Sequence, residues 1–290
     1  MFGKNCYGEI NELLNKQFAK SRVLIAVHRG SWGGNVLGNT IPAFQMALDS
    51  GADMFELDVS VSTDGVLYAY HDNSEKHLLH IDANIETLSS AQIEKLCYYN
   101  TIGEPSGVHI ELLESVFSFF KNGELYNVDR CWGKLPQTAA LLDRYPWVIK
   151  QALFKSPVKE NVLEFLNGCP RKIMYMPIVY SMQDIEKVLS YPEINLVGME
   201  LIANRPEDEL FQDDVIRYLH DRQLFAWVNA ITLSNLPQHI LYGGLDDNTA
   251  LFKDKDASWG KLLKKGIDIL QTDWPFQLRK YRDDFFAVNK

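Results

Sequence analysis

The chain has 290 residues, 46% of them hydrophobic, and a formal charge of −9. That is enough apolar material for a sizeable core, and the acidic balance argues against a nucleic-acid partner. Four well-separated cysteines (Cys6, Cys97, Cys131, Cys169) with no CxxC spacing read as reduced thiols rather than a disulfide framework or zinc site.

The first segment places Ile10, Leu13, Leu14 and Phe18 at helical spacing, which predicts an amphipathic helix. It contains no apolar signal region, and no stretch of the chain is long and apolar enough to span a bilayer. A cytoplasmic protein without stable membrane insertion is the expectation. Val23–Val27 then reads as a strand that ends on His28-Arg29 and a glycine-rich loop, Gly30–Asn35. Asn39-Thr40-Ile41-Pro42 opens a helix through Ala43, Phe44, Ala47 and Leu48 that stops at Gly51.

Met54–Val59 is the second strand, followed by the turn Ser62-Thr63-Asp64-Gly65 and a further strand, Val66–Tyr70. Residues 73–113 interrupt the rhythm and read as an insertion with a short helix, Ser90–Tyr99. Apolar runs resume at Leu125–Asp129, Trp147–Lys150, Ile173–Val179, Leu196–Leu201, Leu224–Asn229 and Asp268–Thr272. Helix signals separate most of them, at Ser156-Pro157 through Gly168, at Ser181, at Asp213–Leu219 and at Trp259–Lys265. The runs show little polar alternation, as strands covered on both faces do.

Eight strands alternating with helices predict a parallel sheet in one domain, residues 1–290, that right-handed crossovers can close into a (β/α)8 TIM barrel with a small insertion after strand two. An open doubly wound sheet is the alternative; no GxGxxG follows the first strand, which weakens a dinucleotide-binding reading.

Barrel active sites form at the carboxyl ends of the strands. The polar groups there are His28, Arg29, Glu56, Asp58, Asp129, Lys150, Glu200, Asn229 and Asp273, with His71 ending the extra strand. Glu56 and Asp58 are two apart, so a strand puts both carboxylates on one face, where they repel unless a cation lies between them. A salt bridge to Arg or Lys would meet that need. A third carboxylate, Asp129 on the neighbouring strand, favours a hard divalent cation instead. His28 and His71 suit proton transfer near neutral pH, and Arg29 offers a fork for phosphate oxygens. Trp227 and Trp274 lie near strand ends, as pocket walls or plain core. The pair His77/His80 has no further ligand near it in sequence and reads as structural.

These residues resemble those of the glycerophosphodiester phosphodiesterases. The likeness lies in the ordered set His28-Arg29-Gly30, Asn39-Thr40, Ala43-Phe44, Gly51-Ala52-Asp53, Glu56-Leu57-Asp58-Val59, Asp64-Gly65, His71-Asp72 and the closing Thr272-Asp273-Trp274-Pro275. The resemblance implies a TIM barrel, a divalent cation (Ca2+ or Mg2+), and hydrolysis of a small-molecule glycerophosphodiester to sn-glycerol 3-phosphate and an alcohol. It makes His28 and His71 the acid–base pair, Arg29 a phosphate ligand, Glu56 and Asp58 metal ligands and Asp129 the third; Lys150 and Trp227, from their places near strand ends, are further candidate substrate-binding positions. Three positions depart from the family pattern. Leu37-Gly38 stands where Pro-Glu is usual, Asp129 where the third ligand is usually Glu, and Cys131 where a lysine is common, so Arg130 or Lys150 is expected to supply the missing charge. A phospholipase of C or D type on intact lipids is the competing enzymatic reading, which an exposed apolar rim at the mouth would favour. A non-catalytic phosphodiester-binding barrel is the reading from another class.

Overall fold

The computed structural model of the chain describes residues 1–234 and 236–288. Its strands are β1 (Leu24–Val27), β2 (Met54–Val61), β3 (Leu67–Ala69), β4 (Glu111–Leu112), β5 (Leu125–Asp129), β6 (Ala152–Pro157), β7 (Met174–Val179), β8 (Gly198–Leu201), β9 (Phe225–Asn229) and β10 (Ile269–Thr272). Eight of them, β1, β2 and β5 to β10, pair in parallel in the order β1-β2-β5-β6-β7-β8-β9-β10, and β10 returns to β1. The sheet is therefore a closed (β/α)8 barrel. Closure removes both sheet edges and places every strand's carboxyl end on one mouth.

Each barrel strand faces two cores. The outer faces and the surrounding helices bury Ile25, Val27, Phe44, Phe55, Leu57, Tyr126 and Phe154, with Phe44 stacked on Phe55 at 4.4 Å. The barrel interior holds Leu24, Ala26, Met54, Leu153, Met176, Phe225 and Trp227. The helix Gly8–Ser21 closes the amino-terminal end of this interior: Leu14 is buried, and Ile10, Leu13 and Phe18 pack against the inner cluster. This is the apolar stripe expected from its spacing.

β2 runs on past its barrel segment and folds back on β3 through a turn in which Gly65 has φ +87°, a left-handed conformation that glycine takes without strain. The insertion between β3 and β4 has its own small core of Tyr68, Tyr70, Leu79, Ile85, Ile93 and Tyr98. Its helix is shorter than expected, Ser90–Ile93. The insertion reaches the glycine loop after β1, where Asn100 Nδ2 donates to Asn35 Oδ1 at 2.9 Å. His80 stacks on Tyr99 at 3.8 Å, in keeping with a structural role.

One strand lies elsewhere than expected. The run Trp147–Lys150 is not the fourth barrel strand. Trp147 donates its indole N–H to the Phe117 carbonyl, and Val148–Gln151 closes a single helical turn before β6. β6 takes in Ser156-Pro157, so the following helix starts later, at Glu160–Gly168. Lys150 consequently sits at the opposite end of the barrel from the mouth, in a hollow with Glu12, Leu13 and Lys16 of the first helix. Among the described residues no helix is long and apolar enough to cross a membrane.

Candidate active site

β1 ends at Val27, and the chain turns at once into the mouth. Arg29 is held at φ +56°, and Gly30 at φ +75° presses against the start of the helix Ile41–Asp49. A Cβ on Gly30 would lie 2.6 Å from the Ala43 carbonyl carbon, so only glycine fits there. The turn aims the Arg29 N–H at Glu56 Oε2, 2.8 Å away. Arg29, Asn39 and Arg130 all hold positive φ around the mouth, each a left-handed conformation that costs on the order of 1 kcal/mol or more for a non-glycine residue.

Glu56 and Asp58 project from β2, with Asn127 and Asp129 of β5 opposite them in register. Asp58 is clamped from two sides by Asn39: its Oδ2 accepts from Asn39 Nδ2 at 2.9 Å and its N–H donates to Asn39 Oδ1 at 3.0 Å. Arg29 Nε lies 3.0 Å from Asp58 Oδ2 but without the alignment of a hydrogen bond. Burial pushes the Asp58 carboxyl up, but Arg29, His71, the Asn39 bond and His28 together outweigh it and hold it below the ordinary value. Both histidines therefore lie within electrostatic reach of Asp58.

Glu56 goes the other way. Burial, then the charges of Asp58 and Asp129, push its carboxyl well above the ordinary value against Arg29 and Lys155. Asp129 is also raised, by burial and by Glu200 and Asp58, against the pull of Lys155. These carboxylates are short of positive charge, and their oxygen-only donor chemistry fits a hard divalent cation. Among the described residues no three ligand side chains already converge as a preformed cage.

The histidines have definite orientations. His71 Nδ1 lies 2.7 Å from the Asp72 carbonyl, which can only accept, so Nδ1 carries the proton and Nε2 presents a lone pair. His28 Nδ1 lies 3.2 Å from Asp273 Oδ1 at the end of β10. Asp247 stands behind that pair, accepting from Trp259 Nε1 (2.9 Å), Thr272 Oγ1 and the Asp273 N–H (3.0 Å). Burial pushes the Asp247 carboxyl up to about 7, against those hydrogen bonds. An unfolded aspartate titrates near ~3.9. Between those values the folded state binds more protons than the unfolded one, so this group lowers stability as pH rises from about 4 to about 7 and adds no further slope above. Asp247→Asn should flatten the thermal midpoint against pH over that interval. Parallel profiles for the two proteins would contradict the assignment.

Sequence reasoning missed one central group. Lys155, on β6, is 2% exposed and lies 2.7 Å from Glu200 Oε2 and 3.5 Å from Asp129 Oδ2. Its ammonium sits 4.1 Å from the centre of the Trp227 ring. Asn229 completes the network, donating to Glu200 Oε1 at 2.6 Å and accepting from Trp227 Nε1 at 2.8 Å. Burial pulls the ammonium down, but Glu200 and Asp129 outweigh it and raise it. Neither of the expected replacements for the family lysine takes this place. Lys150 is at the far end of the barrel, and Arg130 is committed to Asp72 at 2.5 Å and 2.8 Å. Trp227 is fully buried and forms a floor under Lys155, not a pocket wall. His28, Arg29, Glu56, Asp58, His71 and Asp129 share the mouth.

A sequence profile described as the glycerophosphoryl diester phosphodiesterase family matches residues 28–176, and one described as a domain of unknown function matches residues 175–282. A glycerophosphodiester phosphodiesterase of Caldanaerobacter subterraneus subsp. tengcongensis is 26% identical over 263 residues, 88% of this chain and 95% of that protein. Human lysophospholipase D GDPD1 is 32% identical over 283 residues, 90% of this chain and 86% of that one. An Oleispira antarctica phosphodiesterase, solved in complex with the product sn-glycerol-3-phosphate, has the same fold (TM-score 0.64, 16% identity, 92% of this chain and 99% of that one). The chain belongs to the glycerophosphodiester phosphodiesterase family, whose activity is that of a phosphoric diester hydrolase.

Proposed function

We propose that the protein hydrolyses glycerophosphodiesters to sn-glycerol 3-phosphate and an alcohol, with His28 and His71 as its proton-transfer groups and Glu56 and Asp58 as ligands of a divalent cation. The observation that carries this reading is the convergence of two oriented histidines and Arg29 on the buried carboxylate pair at the barrel mouth. The Nη groups of Arg29 have no acceptor among the described residues, so they are available to a phosphate. His71, with Nδ1 fixed by the Asp72 carbonyl, takes the proton of the attacking hydroxyl at Nε2. His28, oriented by Asp273, delivers a proton from Nε2 to the leaving alkoxide. A divalent cation such as Ca2+ or Mg2+, when bound, would supply Lewis-acid chemistry to the phosphoryl group. Glu56 and Asp58 would hold it, with Asp129 as the third carboxylate once its bond with Lys155 is shared.

A cation held there would offset the burial and the like charges of Asp58 and Asp129 that raise the Glu56 carboxyl. EDTA should therefore abolish turnover, and Ca2+ or Mg2+ should restore it. Glu56→Gln should raise the metal concentration needed for half-maximal rate by roughly tenfold or more, the size of one lost charge-assisted contact. Undiminished activity in EDTA would sink the metal reading.

A second reading concerns substrate size. Trp32, Tyr180, Leu233, Leu236 and Trp274 are exposed on the loops that follow β1, β7, β9 and β10, all at the mouth. An apolar rim around a polar cleft suits a diester that carries an acyl chain, and one relative is named a lysophospholipase D. Assaying phosphomonoester release from glycerophosphocholine, glycerophosphoethanolamine and lysophosphatidylcholine separates the two. A preference for lysophosphatidylcholine that falls on Trp32→Ser with Trp274→Ser supports the rim, and lysophosphatidylcholine turnover that is the same in both proteins, or below that of the short diesters, removes it.

A further inference from the structure

We infer that the barrel carries a second anion site, at the end opposite the mouth, for a small phosphorylated molecule. A cavity of about 710 Å3 opens there between the end of the helix Gly8–Ser21, the turn before β2 and the last helix, Pro275–Val288. Its lining includes four cations, Lys20, Arg22, Arg279 and Arg282, against two carboxylates, Asp53 and Asp283.

Both carboxylates are spent on one arginine. Asp53 accepts from Arg282 Nη1 at 2.6 Å, from Gln17 and Ser21, and from the Ile25 N–H. Asp283 lies 3.1 Å from Arg282 Nη2. Among the described residues Lys20, Arg22 and Arg279 have no carboxylate partner, in a chain whose net charge is −9. Arg279 Nε is buried against Gly51 with no hydrogen-bond acceptor, which leaves the Nη groups of this guanidinium to meet a ligand. The place for that guanidinium is made by Gly51, at φ +88°, where a Cβ would fall 2.2 Å from Arg279 Cδ. Arg22 lies over the Phe286 ring at 5.3 Å, which gives the cavity one apolar wall.

Planar arginine forks are matched to phosphate oxygens. The volume is that of a small-molecule site and exceeds what a single inorganic phosphate fills. The ligand class is therefore a phosphomonoester or diphosphate with a modest organic body, and pyrophosphate is the simplest probe.

Isothermal titration of the full chain with pyrophosphate, at constant ionic strength, tests the site. Arg29→Gln, which removes the fork at the mouth, should leave saturable binding intact. Arg22→Gln with Arg279→Gln should weaken it by roughly tenfold or more while glycerophosphodiester hydrolysis is unchanged. If loss of Arg279 compromises folding, Lys20→Gln with Arg22→Gln gives the same reading from residues that carry no buried bond. Binding that survives the cavity variants, disappears in Arg29→Gln, or is absent from the wild type overturns the proposal. None of these outcomes depends on the mouth being catalytic.

Discussion

His71→Ala is expected to lower turnover by at least about 100-fold, and His28→Ala by a similar factor, the range of a lost general acid or base being on the order of 10²- to 10⁴-fold. His71 makes one hydrogen bond to the Asp72 carbonyl and a longer one to Ser74, and among the described residues the His28 side chain is hydrogen-bonded to Asp273, so neither replacement removes a core contact. Thermal midpoints should move little. The two variants differ in one respect. Asp273→Asn should reproduce part of the His28 defect, because the carboxylate fixes that ring, and should leave the orientation of His71 untouched. Single-turnover rates with a diester whose leaving group has a low pKa sharpen the test, since such a substrate needs no acid. His28→Ala should recover on it and His71→Ala should not. Full activity of either alanine variant on an ordinary glycerophosphodiester would remove that histidine from the mechanism.

Lys155→Met is expected to be the most destabilising single change at the mouth. The ammonium is buried between Glu200 and Asp129, and methionine of similar volume removes its charge without opening a large void. Breaking a buried ion pair by deleting one partner costs about 3–5 kcal/mol, because the other charge is left uncompensated. Here two carboxylates lose their cation. Burial and their mutual repulsion already push Asp129 up. Urea titration of wild type, Lys155→Met and Lys155→Met/Glu200→Gln provides the check. The double variant should recover a large part of the loss, since neutralising Glu200 removes one orphaned charge. A single variant within about 1 kcal/mol of wild type, the scale of exposed pairs, would show that Lys155 does not hold the network together.

The barrel was legible in the sequence because strands covered on both faces read as mainly apolar runs with little polar alternation, and seven of the eight lie where such runs stand. The exception is instructive. β6 reads Ala-Leu-Phe-Lys-Ser-Pro, and its lysine interrupts the run at the point where the strand meets the mouth. The more apolar Trp147–Lys150 lies just ahead of it and forms a helical turn instead. A buried lysine is tolerated in β6 because Glu200, 45 positions away, and Asp129 lie beside it. No local pattern announces such a partner. The same holds for Asn39, which reads as part of a helix start but spends its side chain on Asp58 of the next strand. His28, Glu56, Asp58 and His71 were visible for the opposite reason: each is a polar residue in or at the end of an apolar strand, and topology alone carries them to one mouth.

The helix Gly8–Ser21 has a consequence for the order in which the molecule assembles. Phe2, just ahead of it, stacks on Phe225 at 4.1 Å, and Asn11 exchanges hydrogen bonds with Asn195. The helix emerges from the ribosome before any of the strands it seals, yet some of its partners, Asn195 and Phe225 among them, lie some two hundred positions later in the chain. Contacts of that separation form late, after the entropy of closing a long loop has been overcome. The stripe of Ile10, Leu13, Leu14 and Phe18 must therefore wait exposed while the chain is made, the state in which aggregation competes with folding. Nascent-chain proteolysis should find this helix cleavable until β9 has been synthesised.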